Sequence, residues 1–351
     1  MKVLLTGGGT LGPVTPLLAV AERWKEREKD VSFVWVGTPH GPEHSLVEEM
    51  GIRFYTLPVA RFPRYVSLEW VTLPFKLGGA LLRAAQILSR EKPDVVGSAG
   101  GYTALPVILA ARAKGIPVWV HQQDVKIILT NRLTAPFANL VTLAWETHVG
   151  AFSKKKTVLV GNPARRSVKG GSSERAQKTF DLNRDKKTVL IFGGGSGSHW
   201  LNEMTLEMGE SLADRVNVIH LTGLGKMPPS LQSLHNDLCA EELLTDGMAD
   251  ALAVADVVVS RAGLGTITEL AALKKAAILI PLPDSPQEMN ADAVRSGAAV
   301  LEQSQVTAEQ LRETILVLME DDQERKRMGE QLGALLKTDV ADELIDLIES
   351  L

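Results

Sequence analysis

Cysteine is all but missing: Cys239 stands alone among 351 residues. No intrachain disulfide can form, and no Cys/His grouping has zinc spacing, which fits a reducing compartment. Neither sign of charge is in large excess, with 38 Lys and Arg against 42 Asp and Glu for a net charge of -4. That excludes coating nucleic acid by bulk charge. Long hydrophobic runs are missing as well. Residues 95–111 are uncharged but include Gly97, Gly100, Gly101 and Pro106, so they are too short and broken for a bilayer-spanning helix. The amino end passes from Met1-Lys2-Val3-Leu4-Leu5-Thr6 directly into three glycines. This leaves too few apolar residues for a signal peptide, and a cytoplasmic location is expected.

What is present is material for cores. Hydrophobic residues make up 45% and charged residues an ordinary 23%, over a length that suggests two domains. The chain also repeats itself. Val3-Leu4-Leu5-Thr6-Gly7-Gly8-Gly9-Thr10 is echoed by Val189-Leu190-Ile191-Phe192-Gly193-Gly194-Gly195-Ser196. Asp94-Val95-Val96-Gly97-Ser98-Ala99-Gly100-Gly101 is echoed by Asp256-Val257-Val258-Val259-Ser260-Arg261-Ala262-Gly263. Two similar halves are the simplest reading. Within each, β-branched runs at 31–36, 118–120, 189–192 and 278–280 alternate with helical patterns, which predicts parallel sheets covered on both faces. Thr15-Pro16 reads as an N-cap followed by proline at the first helical position, with Leu17, Leu18, Ala21 and Trp24 forming an apolar face. The polar stretch 154–185, with Gly170-Gly171-Ser172-Ser173 inside it, predicts a linker near 162–185. Asp339 can cap a last helix bearing Leu344, Ile345 and Ile348, whose docking partner the sequence does not reveal.

A glycine loop between strand and helix lets a ligand approach the backbone, and the helix N-terminus offers unpaired N–H groups to a phosphate. Gly7, Gly9 and Gly12 satisfy G-x-G-x-x-G. A dinucleotide would also need an acidic residue at the end of the second strand, and Val36-Gly37-Thr38-Pro39 supplies none. That reading is set aside, and a tight turn without ligand stays as the alternative. In Ser260-Arg261-Ala262-Gly263-Leu264-Gly265-Thr266-Ile267-Thr268-Glu269, small residues and hydroxyls at a helix start suit a diphosphate. Glu269 can accept hydrogen bonds from both hydroxyls of a ribose. Equally, Thr266 as N-cap and Glu269 at N3 make a capping box.

Gly7-Gly8-Gly9-Thr10 with Gly12, Gly100-Gly101-Tyr102, His121-Gln122-Gln123-Asp124, Gly161-Asn162-Pro163-Ala164-Arg165, the run 193–197, the run 261–269, and Gln287 before Asn290-Ala291 follow one another along nearly the whole chain. In this order they resemble the family of peptidoglycan N-acetylglucosaminyltransferases that convert lipid I into lipid II. The resemblance implies an α/β protein of the GT-B class, two Rossmann-like domains with parallel sheets facing a cleft, working without metal or other cofactor. No Asp-x-Asp pair occurs to hold a metal-bound diphosphate. It implies an acceptor and membrane domain over 1–162 and a UDP-sugar domain over 163–338. The closing helix, 339–351, is a candidate addition to the first. By position, UDP-N-acetylglucosamine would meet Thr245 at the uracil, Glu269 at the ribose, Leu264, Gly265 and Thr266 at the phosphates, Arg165 on the nucleotide side and Gln287 at the sugar. Gly195 and Ser196 would lie by the α-phosphate. Thr10, Leu11, Gly12, Gly100, Gly101 and Tyr102 would face the pyrophosphate and sugar of a polyprenyl-linked muramyl peptide. No nucleic acid is implied.

This chain departs from the family at chemically telling places. The family's first loop has histidine where Pro13 stands, its His-Glu-Gln-Asn appears as His121-Gln122-Gln123-Asp124, and its α-phosphate serine is Gly195, with Ser196 and Ser198 beside it. Transfer needs a base for the acceptor 4-hydroxyl. Asp124 is the candidate, a new carboxylate just after the strand 118–120, where α/β ligand sites form. His121 is the alternative, and Asp124 equally fits a hydrogen-bonding role toward the sugar. These departures keep open a relative acting on another lipid acceptor, a UDP-sugar epimerase, or a sugar-nucleotide-binding protein with weakened catalysis.

Phe62, Tyr65, Trp70 and Phe75 crowd into residues 61–75 among Arg61, Arg64, Lys76 and Arg83, with Glu69 the one acid between 61 and 83. Aromatics among cations suit a surface resting in anionic lipid headgroups, on the cytoplasmic face for this acceptor. A buried helix face with solvated charges is the alternative.

Overall fold

The computed structural model describes residues 1–59, 69–233, 237–244 and 247–351, with backbone alone for 69–74 and 232–233. The chain forms two compact units, Met1–Pro163 with Asp339–Leu351, and Ala164–Thr338.

The first unit alternates strand and helix: β1 (Lys2–Thr6), α1 (Thr15–Arg27), β2 (Ser32–Gly37), α2 (Glu43–Glu49), β3 (Arg53–Thr56), α3 (Glu69–Glu91), β4 (Val95–Ser98), α4 (Ala104–Ala113), β5 (Val118–Gln122), α5 (Leu129–Thr134), β6 (Leu140–Leu143) and β7 (Thr157–Leu159). Its parallel sheet runs β3-β2-β1-β4-β5-β6-β7. Strands such as Val3-Leu4-Leu5 and Val118-Trp119-Val120 are buried on both faces, which is why they read as continuous apolar runs rather than alternating ones. One face packs Trp24 of α1, Trp35 and Trp119 into a single core, and the other is covered by Ala84, Ile87 and Leu88 of α3 and Val107 and Ile108 of α4. Strand order reverses between β1 and β4, so the loops leaving their carboxyl ends diverge and open a crevice.

The second unit holds α6 (Ser173–Thr179), β8 (Thr188–Phe192), α7 (His199–Ala213), β9 (Asn217–Leu221), β10 (Leu238–Glu241), α8 (Met248–Val254), β11 (Val257–Ser260), α9 (Leu264–Leu273), β12 (Ala276–Leu279), α10 (Pro286–Ala293), β13 (Ala299–Val300), α11 (Ala308–Glu320) and α12 (Asp322–Leu335). Its parallel sheet, β10-β9-β8-β11-β12-β13, has its own switch point between β8 and β11. The last helix, α13 (Ala341–Glu349), returns to the first unit. It buries Leu344, Ile345 and Ile348 against α1, and Asp342 and Asp346 pair with Arg23 and Arg27 at 2.8 and 2.5 Å.

Two local expectations are corrected. Helix α1 begins at Thr15 itself, with Val14 as its uncapped N-cap, because the Thr15 hydroxyl turns back to the Gly12 carbonyl at 3.3 Å. The polar stretch after 163 is no linker. Arg175 of α6 grips Asp250 at 2.7 and 2.9 Å, and Asp250 also accepts from the Ser172 amide, so the segment is folded onto α8. Among the described residues no helix is long and apolar enough to cross a membrane.

Candidate functional site

In the first unit, the candidate residues lie at the carboxyl ends of β1, β4 and β5. Gly101 has φ +91°, and a Cβ there would stand 2.9 Å from the Gly8 backbone, so only glycine lets the β4 and β1 loops touch. The Tyr102 ring lies against Gly9. Thr10 is exposed, while Leu11 and Gly12 are half-buried. Behind the loop sits a residue that sequence reading missed. The Glu43 carboxylate, fully buried, accepts from the Gly9 amide at 3.2 Å and from the Thr38 amide and hydroxyl at 2.7 and 2.6 Å. An acid does stand at the end of β2 after all, supplied from α2, but these donors already hold both its oxygens. Only the fold brings it back across six residues from Gly37.

At the end of β5, His121 is corrected as a candidate base. It is fully buried, and both ring nitrogens are engaged, Nδ1 with Thr142 Oγ1 at 2.9 Å and Nε2 with Asn162 Oδ1 at 2.8 Å. The Asn162 oxygen can only accept, so Nε2 carries the hydrogen and Nδ1 accepts from the Thr142 hydroxyl, whose oxygen also accepts from Trp119 at 2.7 Å. Burial pushes the imidazole down to about 4. It has no lone pair to offer a substrate. Gln122 is also buried. Its amide donates to the Asp124 and Lys126 carbonyls at 2.7 and 3.2 Å and its oxygen accepts from Asn131 at 2.9 Å. Asp124 is half-buried on the loop so formed.

In the second unit two loops differ at their helix starts. Ser198 caps α7, accepting from the Leu201 amide at 3.3 Å, whereas no side chain caps α9, whose N-cap is Gly263. The first N–H groups of α9 are therefore left for an anion. Gly265 and Leu264 are buried in its first turn and Thr266 is half-buried. The capping-box reading fails because the helix starts at Leu264, so Glu269 lies beyond the first turn. Glu269 is instead buried and paired with Arg165 Nε at 2.8 Å. Arg261 is buried at the end of β11. It donates to Ser198 Oγ at 2.9 Å and to the Ile280 and Pro281 carbonyls at 3.1 and 3.2 Å, with its guanidinium 5.6 Å over the Trp200 ring. These partners are all neutral, and burial pushes Arg261 down to about 10. It ties together the loops after β8, β11 and β12. Gly195 is half-buried; Ser196 is exposed, with its carbonyl accepting from Lys226 at 2.7 Å. Gln287, in the first turn of α10, accepts from the Leu282 amide at 3.0 Å. Thr245 lies outside the described residues.

Of the aromatic segment, Phe62 and Tyr65 lie outside the described residues, as does the side chain of Trp70. On α3, Phe75 is 80% exposed and Lys76 is exposed beside it. Leu82 is 68% exposed, two turns along the same helix face.

Comparison with known proteins gives consistent results. Residues 3–143 match the glycosyltransferase family 28 N-terminal domain and residues 188–344 the glycosyltransferase family 28 C-terminal domain. The chain is 34% identical over 320 residues, 90% of its length and 89% of the relative's, to a UDP-N-acetylglucosamine–N-acetylmuramyl-(pentapeptide) pyrophosphoryl-undecaprenol N-acetylglucosamine transferase of Clostridium perfringens. The crystal structure of Acinetobacter baumannii MurG superposes with TM-score 0.71 at 27% identity, covering 100% of this chain and 99% of that one. A UDP-GlcNAc 2-epimerase from Neisseria meningitidis superposes as well, with TM-score 0.72 over 100% of both chains but 15% identity, a likeness of fold alone.

Proposed function

The chain belongs to glycosyltransferase family 28 and is an N-acetylglucosaminyltransferase of the kind that converts lipid I into lipid II in peptidoglycan synthesis, and we propose that its two half-sites divide this reaction as follows. The second unit takes UDP-N-acetylglucosamine. Its diphosphate sits on the uncapped amino end of α9, with Gly195 and Ser196 of the β8 loop beside it, and the charge of Arg261, which is hydrogen-bonded to neutral groups, adds to the field there. Arg165 and Glu269 hold the nucleotide, with Glu269 turned to the ribose, Thr245 at the uracil and Gln287 at the sugar. The α9 terminus carries this reading, since it is where an anion finds free N–H groups.

The first unit takes the acceptor at Thr10, Leu11, Gly12, Gly100, Gly101 and Tyr102. Asp124 removes the proton from the acceptor 4-hydroxyl while its oxygen attacks the anomeric carbon. The bond from that carbon to the β-phosphate oxygen breaks, and UDP departs with the electron pair. A single displacement of this kind inverts the anomeric centre, and backbone amides take the place that a metal fills elsewhere. Phe75 and Lys76, with Phe62, Tyr65 and Trp70 nearby in sequence, rest the first unit on the cytoplasmic face of an anionic membrane. The acceptor's polyprenyl tail lies in that bilayer.

Incubation with UDP-N-acetylglucosamine and lipid I, with mass analysis and NMR of the lipid product, tests this. One added N-acetylhexosamine in β linkage, formed equally with chelator present, is expected. An epimerised sugar nucleotide made without lipid would point to an epimerase. Tight UDP binding with no lipid product would point to a binding protein.

A further inference from the structure

Seven buried side-chain nitrogen or oxygen atoms among the described residues have no hydrogen-bond partner. Four of them, Gln123 Oε1, Asn131 Oδ1, Trp145 Nε1 and His148 Nδ1, belong to the carboxyl-end segments that follow β5 and β6. Gln123, Asn131 and His148 are 2%, 0% and 5% exposed. Buried polar groups are ordinarily partnered, and an orphan one costs stability, so a group of them marks a place prepared for something else. Their surroundings are not loosely made, because His121 and the Gln122 side chain beside them are fully bonded.

Their position and chemistry narrow the ligand. The Gln123 amide lies against Gly12, where a Cβ would stand 3.6 Å from its nitrogen. Asn131 Oδ1 lies 3.3 Å from a Cβ on Gly100. The Gln123 amide group and the Asn131 oxygen thus border the glycine loops assigned to the acceptor. His148 Nε2 meets the Val125 carbonyl at 2.5 Å. A carbonyl only accepts, so Nε2 carries the hydrogen and Nδ1 is left with a lone pair. The group therefore offers three acceptors and, in Trp145, one donor. A diphosphate brings no hydrogens to such a place, whereas a sugar with hydroxyl and amide groups brings several.

We infer that this ledge binds the hydroxyl- and amide-bearing sugar of the acceptor, with Gln123 Oε1 and His148 Nδ1 accepting its hydrogens and the diphosphate lying away from it. The inference rests on the transfer reading above. It has a signature that a packing role lacks. Replacing Gln123, whose Oε1 is an orphan, by methionine should leave the fold as stable or more so while weakening acceptor binding.

The test uses the full chain, with Gln123→Met and His148→Leu. For each, lipid I kinetics at saturating UDP-N-acetylglucosamine, calorimetry with UDP, and melting temperature are measured. The expected result is an acceptor KM at least tenfold higher, with UDP affinity unchanged and Gln123→Met melting no lower than the parent. His148→Gln, which keeps both a donor and an acceptor, should recover most of the loss. An unchanged acceptor KM in both variants, whether melting rises or falls, would overturn the inference. Binding of a soluble muramyl dipeptide and of inorganic pyrophosphate, followed by ligand-observed NMR, keeps the two readings apart. Muramyl dipeptide binding that Gln123→Met removes, with no lipid product from the parent, would reject only the transfer reading. Dipeptide binding that Gln123→Met leaves intact would reject the ledge.

Discussion

Two carboxylates in the first unit show how surroundings divide similar residues. Glu43 is buried, and the three donors on its oxygens fix it as an internal brace behind the glycine loop. Asp124 is half-buried on a loop whose carbonyls are held by the Gln122 amide. A glutamate at 122 would set a carboxylate against those carbonyl oxygens, so the amide there and the acid at 124 form one arrangement. If Asp124 is the base, Asp124→Asn keeps a hydrogen-bonding oxygen but cannot take a proton. Turnover on lipid I at saturating donor should then fall roughly 100-fold or more. Unchanged turnover would leave Asp124 as a sugar contact only.

Among the elements, α9 and α3 carry the most. The amino end of α9 lacks a side-chain cap, and a Cβ at Gly263 would meet nothing within 4 Å. Gly263→Asp should therefore fit. It would cap the helix, raising or holding the melting temperature, while its charge occupies the diphosphate seat. UDP affinity measured by calorimetry should drop at least tenfold, about 1.4 kcal/mol. A variant that melts higher and binds UDP normally would move the diphosphate elsewhere. On α3, replacing Trp70 and Phe75 with Ser should reduce sedimentation with anionic liposomes and leave UDP affinity intact. High salt should weaken the parent's sedimentation too, because Lys76 and its neighbours act through screened charge. Sedimentation equal to the parent's would remove α3 from the membrane contact.

At the scale of the whole molecule, each unit buries one histidine in its sheet. His220 of β9 lies between the Ile191 carbonyl and Asn202, both at 3.1 Å, and burial pushes it, like His121, down to about 4. The unfolded chain takes up each proton near pH 6.5 but the folded one only near 4, so between these values the unfolded state binds more protons. Stability should fall as pH falls through that window, by at most about 1.4 kcal/mol per pH unit for each histidine. Melting curves at about pH 7 and about pH 5 check this, and His121→Asn and His220→Asn should flatten the dependence. The duplicated halves, their parallel sheets and the glycine loops were legible in the sequence because strand periodicity and loop chemistry are local, set by residues a few positions apart. The family's motifs likewise pointed to Glu269, Arg165 and the first loop as site candidates. What the chain could not disclose lies in pairings across long separations: α13 folding back onto α1, Glu43 reaching the Gly9 amide, His121 sealed between Thr142 and Asn162, and Arg165 meeting Glu269. Whether a histidine is a base or a buried strut depends on which groups tertiary packing sets against its two nitrogens, and spacing along the chain carries no information about that.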